Sequence, residues 1–488
     1  MRRKIKIMKH LPQIVHNLIP DNTNLPDTPI HGLTMNSNNV NEGDIFIAVP
    51  GINADGHDFI HQAIDLGASA IISNGRDVGK LPVPQIKVAD PRRAASIVAS
   101  EFYGHPSKHL TVIGITGTNG KTTTASILKS ILNQDGQKVA QIGTLGVIAD
   151  GLDHLDTLTT PDPITLHKLF SELNDEGFSH VVMEVSSHAL DQYRVADVEF
   201  NIAVFTNLAP EHLDYHGTME SYYKAKLRLF TMLAIDATAV VNISDGFGKR
   251  ILKKSSAPVI TFSNSDQNSI YYQSKNISIT GITGKIIAGH DSYSIKSKLT
   301  GDFNCENILA AVSVAHALGQ SKIDIEKGIQ NCSLVPGRME IYGIASGANV
   351  IVDYAHTPDS YEKVLYTLKK IIPGSSNMYV VFGAGGDRDA KKRPEMAKIA
   401  EKFANHCFIT PDNPRTEDPE NISNQIATGF KGNSFTIFTD RGKGLRAAIE
   451  RADNEDIIVV LGKGREEYQE IKGKKVFYSD IQIIKEYK

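Results

Sequence analysis

The stretch richest in chemistry is GITGTNGKTTT, Gly114 to Thr124. An apolar run, LTVIGIT, enters a glycine turn, and Lys121-Thr122 then opens a helical pattern. Holding a polyphosphate requires that order, because loop N–H groups and a helix N-terminus converge on the anion. Glycines let the backbone approach closely, Lys121 reaches the terminal phosphates, and Thr122 offers a hydroxyl to Mg²⁺. Ile115 stands where the general pattern has its first glycine, and Gly114 lies one residue earlier. A chance glycine turn would lack the flanking strand and helix. GITGKII, at 281–287, repeats the opening letters without Gly-Lys-Thr or a helical pattern, and reads as a β-turn.

Glu184 ends the apolar run HVVME, where a carboxylate beside a phosphate loop suits Mg²⁺. EHLDYHG places His212 and His216 at i, i+4, but without the HExxH context or third ligand of a zinc site. The neighbouring ATP machinery favours a functional role for His212. TPDNPRTEDP, Thr410 to Pro419, surrounds a single arginine with three prolines and three acids. Such a loop is stiff enough to hold one guanidinium still, and it follows a strand. Lys226, in YYKAKLRLF, reads from the residues alone as a surface lysine on a helix.

These residues need a large scaffold. At 488 residues the chain exceeds one hydrophobic core, and three textures divide it near 1–108, 109–335 and 336–488. The first alternates short apolar runs with polar turns. The second has buried-type strands and helical spacing at Ile127, Leu128, Ile131 and Leu132, as in a parallel α/β sheet. A Ser/Asn-rich patch near 262–300 alternates with period two and predicts a small antiparallel appendage. In the third, NVIVDYA, MYVVFGAGG, HCFIT and DIIVVLGKG alternate with helices and end in polar or glycine-rich loops. Ligands of doubly wound sheets sit on such loops.

A 41% hydrophobic content and a formal charge of -3 describe a soluble globular protein, without a nucleic-acid stripe or a membrane-seeking surface. Cys305, Cys332 and Cys407 are sparse and unpaired in pattern, as in a reducing cytoplasm, and read as core or boundary residues. The basic start MRRKIKIMKH has no apolar region behind it and reads as solvated chain rather than a signal peptide.

Taken in order, GITGTNGKTTT, MEVSSHAL, TNLAPEHLDYHG, GDFNCENILAA, PGRME, VDYAHTPDS and GAGGDRD resemble the signatures of the Mur ligase family, over residues 30 to 470. The resemblance implies three α/β domains: an N-terminal uridine-nucleotide domain, a central phosphate-loop ATPase with a mainly parallel sheet, and a C-terminal Rossmann-like domain. It implies a monomeric cytoplasmic ligase that forms an acyl phosphate from ATP and adds meso-diaminopimelate to UDP-MurNAc-L-Ala-D-Glu. The rivals are the same ligation with L-lysine, a folylpolyglutamate synthetase-like ligase, and a catalytically idle nucleotide-binding module. GDIFIAVPGINADGHDFI argues against the folate enzyme, and intact Lys121, Glu184, His212 and Lys226 argue against the idle module.

By the same resemblance, Gly114, Gly117, Thr118, Asn119, Gly120, Lys121, Thr122 and Thr123 hold ATP, with Asn304, Asn307, Arg338 and Asp353 as further nucleotide contacts. Thr122, Glu184 and His212 bind Mg²⁺ together with Lys226 as a carbamate. Ser37, Ile52, Asn53, Ala54, Thr159, Thr160, Ser186, Gln192 and Arg194 hold the UDP-muramoyl-dipeptide. Arg388, Asp412, Asn413, Pro414, Arg415, Gly462 and Glu466 form the diaminopimelate pocket. A fixed guanidinium suits the second carboxylate that separates diaminopimelate from lysine. Two departures stand out: Asn36-Ser37-Asn38 replaces Asp-Ser-Arg, and Leu158 replaces an asparagine before the paired threonines.

Overall fold

A computed structural model describes residues 9–20, 24–51, 54–152, 158–264, 269–332 and 334–488. Most of the basic start, residues 1–8, lies outside them, as do Ile52 and Asn53.

Three α/β units follow one another. The first carries a four-stranded parallel sheet in the order Gly32–Thr34, Asp44–Ile47, Ala70–Ser73, Gln85–Lys87. Its two middle strands are buried along their whole length, which is why their IFI and AII stretches read as apolar runs. The helix Pro91–Tyr103 starts where the Asp90 side chain accepts from the Arg92 and Arg93 amides, and stops at left-handed Gly104.

The central sheet has seven strands, with Thr111–Thr116 between Ile202–Phe205 and His180–Glu184. All pair in parallel except the hairpin edge Gly146–Ile148. Helix Lys121–Leu132 buries Ile127, Leu128, Ile131 and Leu132 against one face, together with the all-round apolar helix Asp302–Ala317. Leu166, Phe170, Tyr222 and Phe230 cover the other face.

The appendage is a three-stranded antiparallel meander, Tyr271–Ser278, Gly281–Ala288 and Asp291–Ser297. GITGKII is therefore not a β-turn; it lies in the middle strand. Ile282, Ile286 and Ala288 share one pleat face and enter the core, and that period-two burial outweighs the glycines.

In the C-terminal unit Asn349–Asp353, Ile457–Leu461, Met378–Phe382, His406–Ile409 and Phe435–Ile437 lie side by side in parallel, and Glu340–Gly343 adds an antiparallel edge. Helices cover both faces. All three cysteines are buried and free. No helix among the described residues is long and apolar enough to cross a membrane.

Candidate active site

The phosphate loop leaves the carboxyl end of Thr111–Thr116 and closes on itself tightly. Gly117 and Gly120 take φ of +153° and +88°, and a Cβ at either would collide with Thr206 Oγ1 or Asn307 Oδ1. The loop is anchored from outside: the Asn119 amide donates to Asn207 Oδ1 at 2.9 Å, and Thr118 Oγ1 accepts from the Ala209 amide at 3.0 Å. Behind it Asn307 Nδ2 donates to Asn304 Oδ1 at 2.9 Å, and Asn304 Nδ2 to the Thr300 carbonyl at 2.7 Å. Both asparagines thus support Gly120 from the helix Asp302–Ala317. Thr122 and Thr123 are buried at the start of Lys121–Leu132. Gly114 is a mid-strand residue packed under Phe200, one turn short of the loop.

Lys121 Nζ donates to the Gly117 and Thr118 carbonyls at 2.9 and 2.8 Å. Lys226 Nζ donates to the same Gly117 carbonyl at 3.0 Å, over the Tyr222 ring. Lys226 is 1% exposed, which corrects the surface reading: the helix Met219–Thr231 turns that residue inward with Tyr222, Leu229 and Phe230. Burial first and the Lys121 charge second hold its ammonium well below the usual lysine range. Glu211, absent from the sequence-based set, counters this charge. Burial pushes its carboxyl up, but Lys121, His212, His356 and Lys226 outweigh that and leave it below the usual range. His212 and His356 each place Nε2 3.8 Å from it. His212 is a left-handed residue starting the short helix Leu213–His216, whereas His216 is occupied by Ser187 Oγ at 2.9 Å.

Glu184 is buried at its strand end. Its Oε1 accepts from the Thr144 amide at 2.9 Å and its Oε2 from the Thr144 hydroxyl at 3.2 Å. Around it gather five residues of the dipeptide set. The Thr160 hydroxyl donates to the Glu184 carbonyl at 2.9 Å and accepts from the Ser186 amide at 3.0 Å. Thr159 Oγ1 lies 3.3 Å from Thr144 Oγ1, and Arg194 Nη1 donates to the Thr160 carbonyl at 2.9 Å. Gln192 Oε1 accepts from Arg194 Nε and Nη2 at 3.2 and 2.8 Å. Leu158 beside them is exposed. Ser37 and Ala54 stay in the first unit, without a hydrogen bond to this cluster among the described residues. There Asn36 Oδ1 caps the Asn38 amide at 3.0 Å and Asn38 Oδ1 accepts from Gln62 at 3.2 Å, so neutral amides tie down the loop.

For a magnesium ion the donors suit a hard cation: the Thr122 hydroxyl and the Glu184 carboxylate. Among the described residues no group of three His, Cys, Asp or Glu could hold a metal alone. Mg²⁺ needs no such cage, because it keeps water and phosphate oxygens as ligands.

The C-terminal unit meets the loop directly. Asn119 Nδ2 donates to Asp359 Oδ2 at 2.9 Å, and Arg338 Nη2 to Thr122 Oγ1 at 3.4 Å. Asp353 Oδ2 accepts from the Met339 amide at 2.8 Å and Oδ1 from the Ala355 amide at 2.7 Å. It positions the turn that carries Arg338.

The arginine loop leaves the carboxyl end of His406–Ile409. Pro414 leads into Arg415, whose φ is +51°. A β-bridge to Ile471 holds that conformation: the Arg415 amide donates to the Glu470 carbonyl at 2.8 Å and Lys472 returns a bond at 2.7 Å. Arg415 Nε donates to Glu470 Oε2 at 3.0 Å, and Nη1 to the Gly386 carbonyl at 2.7 Å. A Cβ at Gly385 would meet both Arg415 Nη1 and Arg388 Cγ, so the two arginines share that glycine. Gly462, with φ +108°, lets Asp412 approach. Glu466 Oε2 accepts from Asn413 Nδ2 at 2.9 Å and from Lys463 Nζ at 3.0 Å.

The structure therefore gathers the phosphate loop with Arg338 and keeps the arginine loop as a second cluster in the C-terminal unit, and it adds Glu211, His356, Asp359, Lys463 and Glu470. Glu211 was signalled by its place beside His212, and Lys463 by its Gly-Lys-Gly turn after a strand. Glu470 had no local signal, because only the folded hairpin Tyr468–Ile471 with Lys474–Phe477 brings it to Arg415.

Family models match along the chain: a Mur ligase family catalytic domain at 29–103, a Mur ligase middle domain at 115–315, and a Mur ligase glutamate ligase domain at 337–464. A protein of Aquifex aeolicus named UDP-N-acetylmuramoyl-L-alanyl-D-glutamate--2,6-diaminopimelate ligase is 41% identical over 464 residues, 94% of this chain and 93% of its own length. A Bacillus cereus protein of the same name is 39% identical, over 97% of this chain and 98% of its own. A solved structure with that title superposes with a TM-score of 0.70 at 31% identity, over 99% of both chains. A Mycobacterium tuberculosis folylpolyglutamate synthase shares the fold, with a TM-score of 0.62 at 18% identity over 76% of this chain and 92% of its own. The chain belongs to the Mur ligase family.

Proposed function

We propose that this protein uses ATP to join meso-diaminopimelate to UDP-N-acetylmuramoyl-L-alanyl-D-glutamate in peptidoglycan precursor synthesis, as a cytoplasmic monomer. One observation carries the reading. Asn119 to Asp359 and Arg338 to Thr122 seat a phosphate loop against the unit that holds a fixed guanidinium. This supports a nucleotide site and an amino-acid site on facing units, as a two-step ligation requires. The names borne by relatives about 40% identical over nearly the whole chain agree with it.

In the first step a substrate carboxylate oxygen bonds to the γ-phosphorus of ATP and the bond to the ADP oxygen breaks. In the second the amino-acid nitrogen attacks the acyl carbon, loses a proton, and phosphate leaves from a tetrahedral intermediate. A carboxylate and a triphosphate repel each other, so positive groups must offset that charge. Lys121, on the loop itself, and Arg338, from the facing unit, supply them. Thr159, Thr160, Ser186, Gln192 and Arg194 orient the dipeptide beside Glu184. Thr122, Glu184, His212 and a carbamate on Lys226 would hold magnesium, which neutralises phosphate charge when bound. The carbamate reading suits the geometry, since converting one of two ammonium groups on the Gly117 carbonyl to an anion removes their repulsion. Arg415 and Arg388 would receive the distal carboxylate of diaminopimelate, which lysine lacks. A buried polar site left unpaired by the wrong substrate can discriminate strongly.

The test is phosphate release by purified protein with ATP, Mg²⁺ and the UDP-muramoyl-dipeptide. Release is expected on adding meso-diaminopimelate. Turnover with L-lysine alone would overturn the specificity, and no turnover with any amino acid would favour the idle nucleotide-binding module.

A further inference from the structure

Lys463 is as deeply buried as any charged side chain in the molecule, with 0% exposure, and no part of the proposed chemistry uses it. It follows the strand Ile457–Leu461 and sits between Gly462 and Gly464, whose φ values are +108° and +54°. This double left-handed turn drives the side chain inward rather than to solvent. There Nζ donates to Asn413 Oδ1 at 3.1 Å and to Glu466 Oε2 at 3.0 Å, with Asp412 Oδ1 at 3.9 Å.

Asn413 completes the triangle. Its Nδ2 donates to the same Glu466 Oε2 at 2.9 Å, and its Oδ1 also accepts from the Glu470 amide at 2.9 Å. Glu466 Oε2 is therefore taken twice, while no donor among the described residues bonds to Oε1. The carboxylate has one tied oxygen and one presented oxygen. One cation and two acids, Lys463 with Asp412 and Glu466, leave a formal charge of minus one, the complement of a substrate ammonium. The Arg415–Glu470 pair next to it is neutral and offers a guanidinium edge to a carboxylate. Burying an ammonium costs several kcal/mol unless its partners are well placed, so a lysine here needs all of these contacts at once.

We propose that Lys463 is the positioning residue of the amino-acid site, its ammonium locking Glu466 so that a single carboxylate oxygen faces the incoming amino acid. This rests on reading Glu466 as the group that receives the substrate ammonium. Lys463 itself touches no substrate; it acts through Glu466, and a double-mutant cycle isolates that dependence.

The experiment compares Lys463→Met, Glu466→Gln and the double variant in the full-length enzyme, reading KM for meso-diaminopimelate, KM for ATP and the thermal midpoint. Lys463→Met is expected to raise the amino-acid KM about tenfold or more with the ATP KM within about twofold. In the Glu466→Gln background the same change should add less than about twofold, because the group it acts through is already gone. Losses that simply multiply, or an equal rise in both KM values, would mean a structural strut and overturn the inference alone. An unchanged amino-acid KM in Glu466→Gln would sink the reading of the pocket and the inference with it. Lys463→Gln, which keeps an N–H donor without the charge, guards against a folding failure. It should show a smaller rise in the same KM, and an effect confined to the ATP KM would overturn the inference.

Discussion

Two lysines, Lys226 in the central unit and Lys463 in the C-terminal one, are withdrawn from solvent almost equally, at 1% and 0% exposure. Their partners differ in kind. Lys226 bonds to one carbonyl, shares it with Lys121, and has no carboxylate within ion-pair distance among the described residues. Lys463 has two acids and an amide oxygen around it. On the proposed reading, the nucleotide site keeps positive charge beyond what Glu211 counters, which phosphate, or a carbamate on Lys226, would offset. On the same reading, the amino-acid site has its charges paired beforehand and acts by orientation. A site for a triphosphate gains from unmet positive charge, because every neutralising group placed there would have to be displaced. A site that selects between two amino acids gains from rigidity instead.

The comparison breaks most sharply at Lys226. Lys226→Ala should lower turnover about a thousandfold while the circular dichroism spectrum and cooperative melting persist. An unchanged rate would remove Lys226 from the mechanism and leave that positive charge without a purpose. At Arg415 the prediction is about a hundredfold loss in kcat/KM for meso-diaminopimelate, with ATP binding preserved by calorimetry. Equal damage to both ligands would show that the arginine only holds its loop. The smallest effect belongs to Glu470→Gln. Its ion pair with Arg415 is partly exposed, so loosening it should raise the amino-acid KM only about threefold, matching roughly 0.7 kcal/mol. A hundredfold loss there would mean that Glu470 binds the substrate itself.

The phosphate loop was legible because its chemistry is contiguous: strand, glycines, lysine, threonine and helix lie within a few turns of chain. The arginine loop was legible as a stiff segment after a strand, and the meander as an alternating patch. GITGKII misled because glycine letters mark turns on average, whereas two isoleucines four apart had a core face to fill. Lys226 misled because one lysine among several on a helix carries no sign of the side that will be covered. The Asn36 and Asn38 departures proved to be a rebuilt cap, which only the side-chain contacts reveal.

What the sequence determined by itself was therefore short-range pattern: the strand and helix that flank the glycine-lysine-threonine loop, and the loops at the strand ends. Hydrophobic period and backbone permissiveness act over a few residues and can be read there. Tertiary structure alone decided which charges meet. Asn119 finds Asp359 across 240 residues, Arg415 finds Glu470 across 55, and Lys463 finds Asn413 across 50. Those pairings depend on how sheets register and how units face each other, and charge carries no periodicity that announces its partner.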